Sequence, residues 1–285
     1  MNKQIRKATY YIEKNLDDEL DIDKLALVAG YSPYHFCRIF KIHVGESAIS
    51  YATRLKLERA AGEMILKNKS MIDVALDAGF KTPTGFLKAF KSRFGTTPTN
   101  YRKGTKVQLN KHIGVDMNIP EIVFREEVKA VFTRELGAYE KSSNIAWNRL
   151  SSQMNGLKDK FKQRKPQTPM KLGLGNAEAI GICLDNPNVT DESNIRYEAA
   201  LVWDKEDVVE LTRHYGFESK IISGGKYAKV DYIGEDSEDA WHGLYKWVES
   251  KGYEFRDEPA FEKYLNATSE EDKSKHHKEV YIPIV

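Results

Sequence analysis

Two stretches of this 285-residue chain nearly repeat each other: residues 30–40 read GYSPYHFCRIF and residues 79–90 read GFKTPTGFLKAF. Each begins with a glycine, which suits the left-handed turn that ends a helix. A Ser or Thr followed by proline comes next, and this pair is typical of a helix start. Because apolar residues at helical spacing lie on both sides of each glycine, the pattern predicts two helix-turn-helix units, with short first helices over about 23–29 and 72–78.

The second helix of each unit has an apolar side and a polar side. The apolar positions, spaced i, i+3 and i+4, are Phe36, Ile39 and Phe40 in one copy and Phe86, Ala89 and Phe90 in the other. The opposite side carries an aromatic, a guanidinium and an ammonium group in the first copy, and a hydroxyl and two ammonium groups in the second; such groups can meet base edges and phosphates. We predict that this side contacts double-stranded DNA; an ordinary solvated helix face is the alternative. The residues assigned to the contact are Tyr34, His35, Cys37, Arg38, Lys41, Thr84, Leu87, Lys88 and Lys91.

A continuous helix is predicted between the units, over about 47–67, because its apolar positions have helical spacing and no proline interrupts them. About twenty residues rise roughly 30 Å. One turn of B-DNA is about 34 Å, so such a helix could hold two recognition helices in successive major grooves. One chain would then read two half-sites, and a monomer would suffice for DNA binding.

The segment IDVALDAGFKTPTGFLKAFKSRFGTTPTNYRK, residues 72–103, resembles the signature of AraC/XylS-type transcription regulators. The matching positions are Ala75, Gly79, Phe80, Phe86, Phe90, Lys91, Phe94, Gly95, Thr97, Pro98, Tyr101 and Arg102. The resemblance covers residues 1–104 and implies an all-α domain of seven helices. It also implies roles for the outer residues: Tyr34, Arg38, Thr84 and Lys88 approach bases, whereas Lys41 and Lys91 meet phosphates. Lys88 stands where many members carry arginine, and lysine lacks the bidentate fork, so the second unit is expected to act mainly as a phosphate anchor.

Charge divides the chain unevenly. Residues 1–110 contain 19 Lys and Arg against 11 Asp and Glu, whereas residues 111–285 contain 25 against 31. A basic part joined to an acidic part favours a polyanionic partner for the first part only, although uneven solvated surface would look the same.

Several classes of protein and site are disfavoured by the sequence. No apolar run reaches the length of a membrane span, and the N-terminal residues lack the apolar stretch of a signal peptide. Cys37 and Cys183 are far apart, which suits a reducing cytoplasm. His276 and His277 have no metal-ligand spacing, and the glycine-rich segments lack the nucleotide-loop pattern. We therefore expect a cytoplasmic protein with no membrane partner, metal, cofactor or catalytic site.

A polar linker is predicted over residues 105–119, between an N-terminal domain (1–104) and a C-terminal domain (120–285). The second domain alternates strand-like and helical stretches. AWNRL at 146–150 and AWHGL at 240–244 echo each other, each soon after a strand that ends in glycine. We predict an α+β domain of two strand-helix-strand-strand repeats with a cleft between them. One helix, over about 142–161, is expected to bury Ile145, Ala146, Leu150, Met154 and Leu157.

The second domain resembles the GyrI-like effector-binding domain. The matching segments are GAYEKSSNIAWNRL, RYEAALVW, ISGGKYAKVDYIG, EDAWHGLYKWVESKGYE, EPAFEKYL and EVYIPI. The resemblance implies a small-molecule pocket with one carboxylate, Glu262, among aromatic rings, with Tyr264 beside it. Trp147, Tyr197 and Trp241 are candidate wall residues; packing in the core is the alternative for each. A carboxylate ringed by aromatics attracts lipophilic cations.

Three functions remain open on the sequence. The first, which we favour, is a non-enzymatic transcription regulator that senses a small molecule and has RNA polymerase as a further candidate partner. The second is an enzyme in which Glu262 orients water for hydrolysis. The third is a protein that sequesters small molecules and binds DNA only secondarily.

Overall fold

The computed structural model describes residues 2–66, 69–109, 118–163, 177–203, 205–234, 237–266 and 273–285. The chain divides into two units, Met1–Lys111 and His112–Val285. Of the predicted linker, residues 110–117 lie outside the described residues, and the last helix of the first unit runs through 105–109. The boundaries at 104 and 120 stay a prediction.

The described part of the first unit contains seven helices, as the resemblance implied. They are α1 (Lys3–Lys14), α2 (Ile22–Ala29), α3 (Pro33–Val44), α4 (Ala48–Leu66), α5 (Met71–Asp77), α6 (Pro83–Phe94) and α7 (Pro98–Leu109). Helices α2 and α3 form one helix-turn-helix unit, and α5 and α6 form the other. The all-α prediction for this domain is confirmed.

The repeated sequence signals form the turns as predicted. Gly30 follows α2 with a φ of 69°, and Gly79 lies just beyond α5 with a φ of 72°. These left-handed values cost a residue with a Cβ about 1–2 kcal/mol. Proline occupies the first turn of both α3 and α6, and the Thr82 hydroxyl accepts the Gly85 N–H at 3.1 Å. Ser32 precedes α3 in the same backbone conformation, but its side chain makes no capping hydrogen bond.

Helix α4 is the long helix predicted between the units, and its 19 residues span about 28 Å. Its first half contributes Tyr51 and Leu55 to the core formed with α1, α2 and α3. The buried carboxylate of Glu58, at the middle of α4, accepts hydrogen bonds from the guanidinium groups of Arg54 at 3.2 Å and Arg93 at 2.8 Å. Since Arg93 lies on α6, this ion-pair cluster fastens α6 to α4.

The second unit is a curled antiparallel sheet with helices. Its strands are β1 (Glu121–Arg125), β2 (Val128–Leu136), β3 (Glu178–Cys183), β4 (Arg196–Val202), β5 (Glu218–Ile222), β6 (Gly225–Ile233), β7 (Ala260–Tyr264) and β8 (His277–Pro283). The helices are α8 (Tyr139–Gln163), α9 (Lys205–Tyr215) and α10 (Glu238–Ser250). Across the sheet the strands follow the order β1-β6-β8-β7-β3-β4-β2-β5.

Two halves of this sheet repeat one another. The run β2-α8-β3-β4 forms one half and β6-α10-β7-β8 the other, so the predicted strand-helix-strand-strand repeats are confirmed. Helix α8 packs on β2 and β4, whereas α10 packs on β6 and β8. The halves join where β7 pairs with β3, with Gly181 opposite Glu262. This central seam therefore lies between the strands that the two helices cover.

The predicted apolar stripe of α8 needs one correction. Ala146, Leu150, Met154 and Leu157 are buried against the sheet, but Ile145 is 54% exposed. The buried four follow the i, i+4, i+8, i+11 series, and residue 145 is rotated about 100° away from it. Strands β1, β5 and β7 and helix α9 were not predicted as separate elements.

Candidate functional site

The outer side of α3 presents its residues to solvent as the helical spacing predicts. Phe36 and Phe40 are fully buried, whereas Tyr34, Arg38 and Lys41 are exposed. Arg38 Nη1 donates a hydrogen bond of 2.8 Å to the Tyr34 hydroxyl, and the guanidinium carbon lies 5.6 Å from the ring centroid. These two side chains therefore form one exposed aromatic and cationic pair.

The neighbours of this pair complete the surface. His35 meets Tyr34 edge-on, with ring centroids 5.7 Å apart, and Cys37 is an exposed free thiol. Helix α6 also presents its outer side to solvent. Its outer residues, all exposed, are Thr84, Leu87, Lys88 and Lys91. All nine residues assigned to DNA contact thus lie on the exposed sides of α3 and α6.

The carboxylate of Glu262 lies in the second unit and is 6% exposed. Trp241 Nε1 donates a hydrogen bond of 2.8 Å to its Oε1. Ser237, at the residue before α10, donates its hydroxyl to the same oxygen rather than capping the helix. Lys278 Nζ lies 3.7 Å from Oε2. The carboxylate is thus held by donors from α10 on one side and by β8 on the other.

A chain of polar aromatic groups lies beside this carboxylate. Trp147 Nε1 donates to the Tyr197 hydroxyl at 2.9 Å, and the hydroxyls of Tyr197 and Tyr264 are 3.0 Å apart. The rings of Trp147 and Tyr264 meet edge-on, 5.5 Å between centroids. Tyr264 follows Glu262 by two residues on β7, so both side chains point to the same face of the sheet. The structure therefore brings together all five residues that the sequence assigned to the pocket.

Gly181 makes room for the hydroxyl pair. A Cβ on this residue would lie 2.9 Å from the Tyr264 hydroxyl and 3.0 Å from the Tyr197 Cζ, and closer still to the Tyr197 hydroxyl. Since Gly181 pairs with Glu262 across the seam, the missing side chain opens space directly beside the carboxylate.

Burial keeps the neighbouring weak acids protonated. It raises the pKa of Tyr264 well above its usual value, with the Tyr197 hydroxyl and the Glu262 charge adding to the effect. Burial likewise raises the pKa values of Tyr197 and Cys183. Burial also raises the pKa of Tyr245, on α10, to about 12. These groups are neutral near neutral pH and can act as hydrogen-bond donors.

Sequence reasoning missed Ser237, Lys278 and Gly181. A signal for Lys278 existed: it alternates with Val280 and Ile282 along β8, and those two side chains belong to the core beneath α10. A lysine at the next alternate position must share their face of the sheet. The glycine and the serine had no comparable signal, because their roles depend on residues far away in the chain.

Two further features, a metal cluster and a membrane-spanning helix, can be assessed over the described residues. There, no group of three or more His, Cys, Asp or Glu side chains could hold a metal ion. No helix over these same ranges is long and apolar enough to span a membrane.

Comparison with known proteins identifies both units. The family model of a GyrI-like small molecule binding domain matches residues 119–285, and that of a helix-turn-helix domain matches residues 25–104. The Salmonella typhimurium protein named Transcriptional regulator Rob is 33% identical over 242 residues, which cover 81% of this chain and 78% of that protein. The Right origin-binding protein of Escherichia coli K12 is 28% identical with the same coverage.

A solved structure resembles part of the chain. It is a transcriptional regulator from Chromobacterium violaceum, described as a protein containing an AraC-type DNA-binding domain. The match has 27% identity and a TM-score of 0.34, and it covers 35% of this chain and 89% of that one. On the two family models and the match to the Salmonella protein, this chain belongs to the AraC-type regulators that join a helix-turn-helix DNA-binding domain to a GyrI-like small-molecule-binding domain.

Proposed function

We propose that this protein is a one-component transcription regulator, in which a small molecule bound by the second unit changes how the first unit acts at a promoter. One observation carries the proposal. A single chain holds two recognition helices, each with a buried phenylalanine pair and an exposed polar or basic side. They lie N-terminal, in the sequence, to a small-molecule-binding domain. That order suits a protein that reads DNA and senses an effector without a partner protein.

The two recognition helices are proposed to read DNA unequally. The guanidinium of Arg38 can bind guanine through two parallel hydrogen bonds, and Tyr34 holds it at the exposed end of α3. On α6, Lys88 offers a point charge in place of a fork, and Thr84 offers one hydroxyl. We assign base readout mainly to α3, and phosphate contacts to Lys41, Lys88 and Lys91, with His35, Cys37 and Leu87 as flanking contacts.

A monomer is proposed to be the DNA-binding form. Helix α4 spans about 28 Å, close to the roughly 34 Å turn of B-DNA, and joins both helix-turn-helix units in one chain.

RNA polymerase is the proposed protein partner, since a bound regulator changes transcription by helping or hindering the polymerase. A regulator of this kind works beside the chromosome, so we propose a cytoplasmic location.

The effector is proposed to bind at the seam of the curled sheet. Trp147, Trp241 and Tyr264 are only half-buried there, so their rings can receive a ligand, and the buried carboxylate of Glu262 accepts a hydrogen bond from Trp241. Glu262 is held by the donors Ser237 and Trp241. A carboxylate oxygen that already accepts two hydrogen bonds is poorly suited to activate water, and we propose that the protein binds its effector without turning it over.

DNA binding by the full-length chain tests the proposal. A preferred sequence would first be selected from random double-stranded DNA, and its affinity then measured across a salt series. Arg38→Ala should weaken specific binding by about 1–3 kcal/mol and relax the sequence preference. Lys88→Ala should weaken binding to all sequences and reduce the salt slope by about one.

Arg213→Ala is the matched control, because it removes an exposed arginine from α9 in the other unit. It should leave both affinity and preference unchanged. The proposal fails if selection yields no sequence that outcompetes bulk DNA, or if the control weakens binding as much as Arg38→Ala.

A further inference from the structure

Glu262, the carboxylate of the ligand site proposed at the seam between β7 and β3, has a basic partner. The ammonium of Lys278 lies 3.7 Å from Glu262 Oε2, and the two side chains are 9% and 8% exposed. Lys278 also pairs in register with Tyr264 and lies 5.7 Å from the centroid of its ring. An incoming cation would need a position beside the carboxylate and over the tyrosine ring. The ammonium of Lys278 already occupies that position.

The other titratable groups around Glu262 add little charge. Burial raises the pKa values of Tyr197, Tyr264 and Cys183 above their usual range, so these groups add no charge near neutral pH. The carboxylate of Asp185, near Cys183, is matched by Arg196 at 2.6 Å. The charge that a ligand meets at the seam is therefore set by Glu262 and Lys278, which balance each other.

This balance opposes a permanently charged ligand. A unit charge about 6 Å away, at an effective dielectric constant of about 20, changes an equilibrium by about a hundredfold. The repulsion from Lys278 would thus offset much of the attraction that Glu262 exerts on a cation. An uncharged molecule avoids this repulsion and can accept a hydrogen bond from the ammonium.

We propose that Lys278 makes the seam site selective for an uncharged aromatic molecule with a hydrogen-bond acceptor, and that it discriminates against lipophilic cations. The acceptor faces Lys278 while the ligand's rings pack against Trp147, Trp241 and Tyr264. The inference rests on the proposed small-molecule function of this site, and it reverses the charge preference expected of a lone carboxylate among rings.

Two probes of similar shape separate the charge preferences. Tetraphenylphosphonium is a permanent lipophilic cation, and triphenylphosphine oxide is neutral with an oxygen acceptor. Each would be titrated into the full-length protein while tryptophan fluorescence is followed, since all four tryptophans lie in the second unit. Wild type should bind the phosphine oxide at least tenfold more tightly than the phosphonium.

Removing the lysine charge should reverse the preference. Lys278→Met is expected to raise phosphonium affinity by about tenfold to a hundredfold and to weaken phosphine oxide binding. Lys263→Met is the matched control. It removes the same charge one residue after Glu262, but on the opposite face, where Lys263 pairs with Glu178 and Glu279. The control should bind both probes as wild type does.

A second variant keeps the test valid if Lys278→Met unfolds. Glu262→Gln removes the negative charge and leaves the positive charge of Lys278 uncompensated. It should therefore abolish phosphonium binding and retain phosphine oxide binding within a few fold. The inference is overturned if wild type binds the phosphonium as tightly as the phosphine oxide, or if neither charge change alters the preference. If neither probe binds wild type or a folded variant, the proposed small-molecule site fails and the inference fails with it.

Discussion

Replacing Gly181 by alanine should disrupt the tyrosine pair at the seam. The new Cβ would lie 2.9 Å from the Tyr264 hydroxyl and within 3.0 Å of Tyr197. Tyr197 cannot easily turn away, because it is 2% exposed and its hydroxyl also receives Trp147. Overpacking of this kind together with loss of the hydroxyl pair should destabilise the second unit by about 2–4 kcal/mol.

Urea unfolding followed by tryptophan fluorescence measures this cost, since the tryptophans report on the second unit alone. Gly156→Ala is the matched control, because Gly156 is exposed in α8 and a Cβ there meets nothing within 4 Å. Alanine at this helical position should stabilise the unit by up to about 1 kcal/mol. The same chemical change is thus expected to have opposite signs at the two glycines.

Equal midpoints for Gly181→Ala and wild type, with an unchanged dependence on urea, would refute the reasoning. The hydroxyl pair would then be loose enough to move aside without cost. Its 3.0 Å separation would no longer support a rigid site. The binding experiments proposed for the seam would then need a wider set of ligand shapes.

Buried charges and a helix turn give three further expectations. Burial alone would raise the pKa of Glu198, but the charges and hydrogen bonds of Lys220 and Arg134 outweigh burial and hold that pKa below its usual value. The stability that this carboxylate contributes is therefore present above about pH 4.3 and is lost as the pH falls further. Glu198→Gln should cost about 3–5 kcal/mol at neutral pH and flatten that acid dependence in urea titrations. Glu58→Gln should destabilise the first unit by about 3 kcal/mol and weaken DNA binding, as measured by circular dichroism and by titration. Gly30→Ala should cost the same unit about 1–2 kcal/mol, whereas Gly62→Ala inside α4 should stabilise it by up to about 1 kcal/mol.

Local signals predicted the first unit well. Glycine at a left-handed turn, proline in a first helical turn and phenylalanines one turn apart each act within a few residues, so Gly30, Pro33 and Phe36 could be interpreted without the rest of the chain. The second unit was harder to predict from local sequence signals. Strands as short as β5 and β7 have five residues each, too few for a pattern to stand out, and their existence depends on the partners with which they pair.

The sequence by itself determined the elements that local chemistry controls. These are the two helix-turn-helix units, the long α4, and the strand-helix-strand-strand repeat of the second unit, whose two helices share a similar apolar pattern. It also selected Glu262, Tyr264, Tyr197, Trp147 and Trp241 through resemblance. Only the tertiary structure decided what surrounds them. Pairing of β7 with β3 brings Glu262 opposite Gly181, and β8 brings Lys278 to the carboxylate. These contacts join residues far apart in the chain, so no local pattern shows which partners meet, and they set the charge at the proposed ligand site.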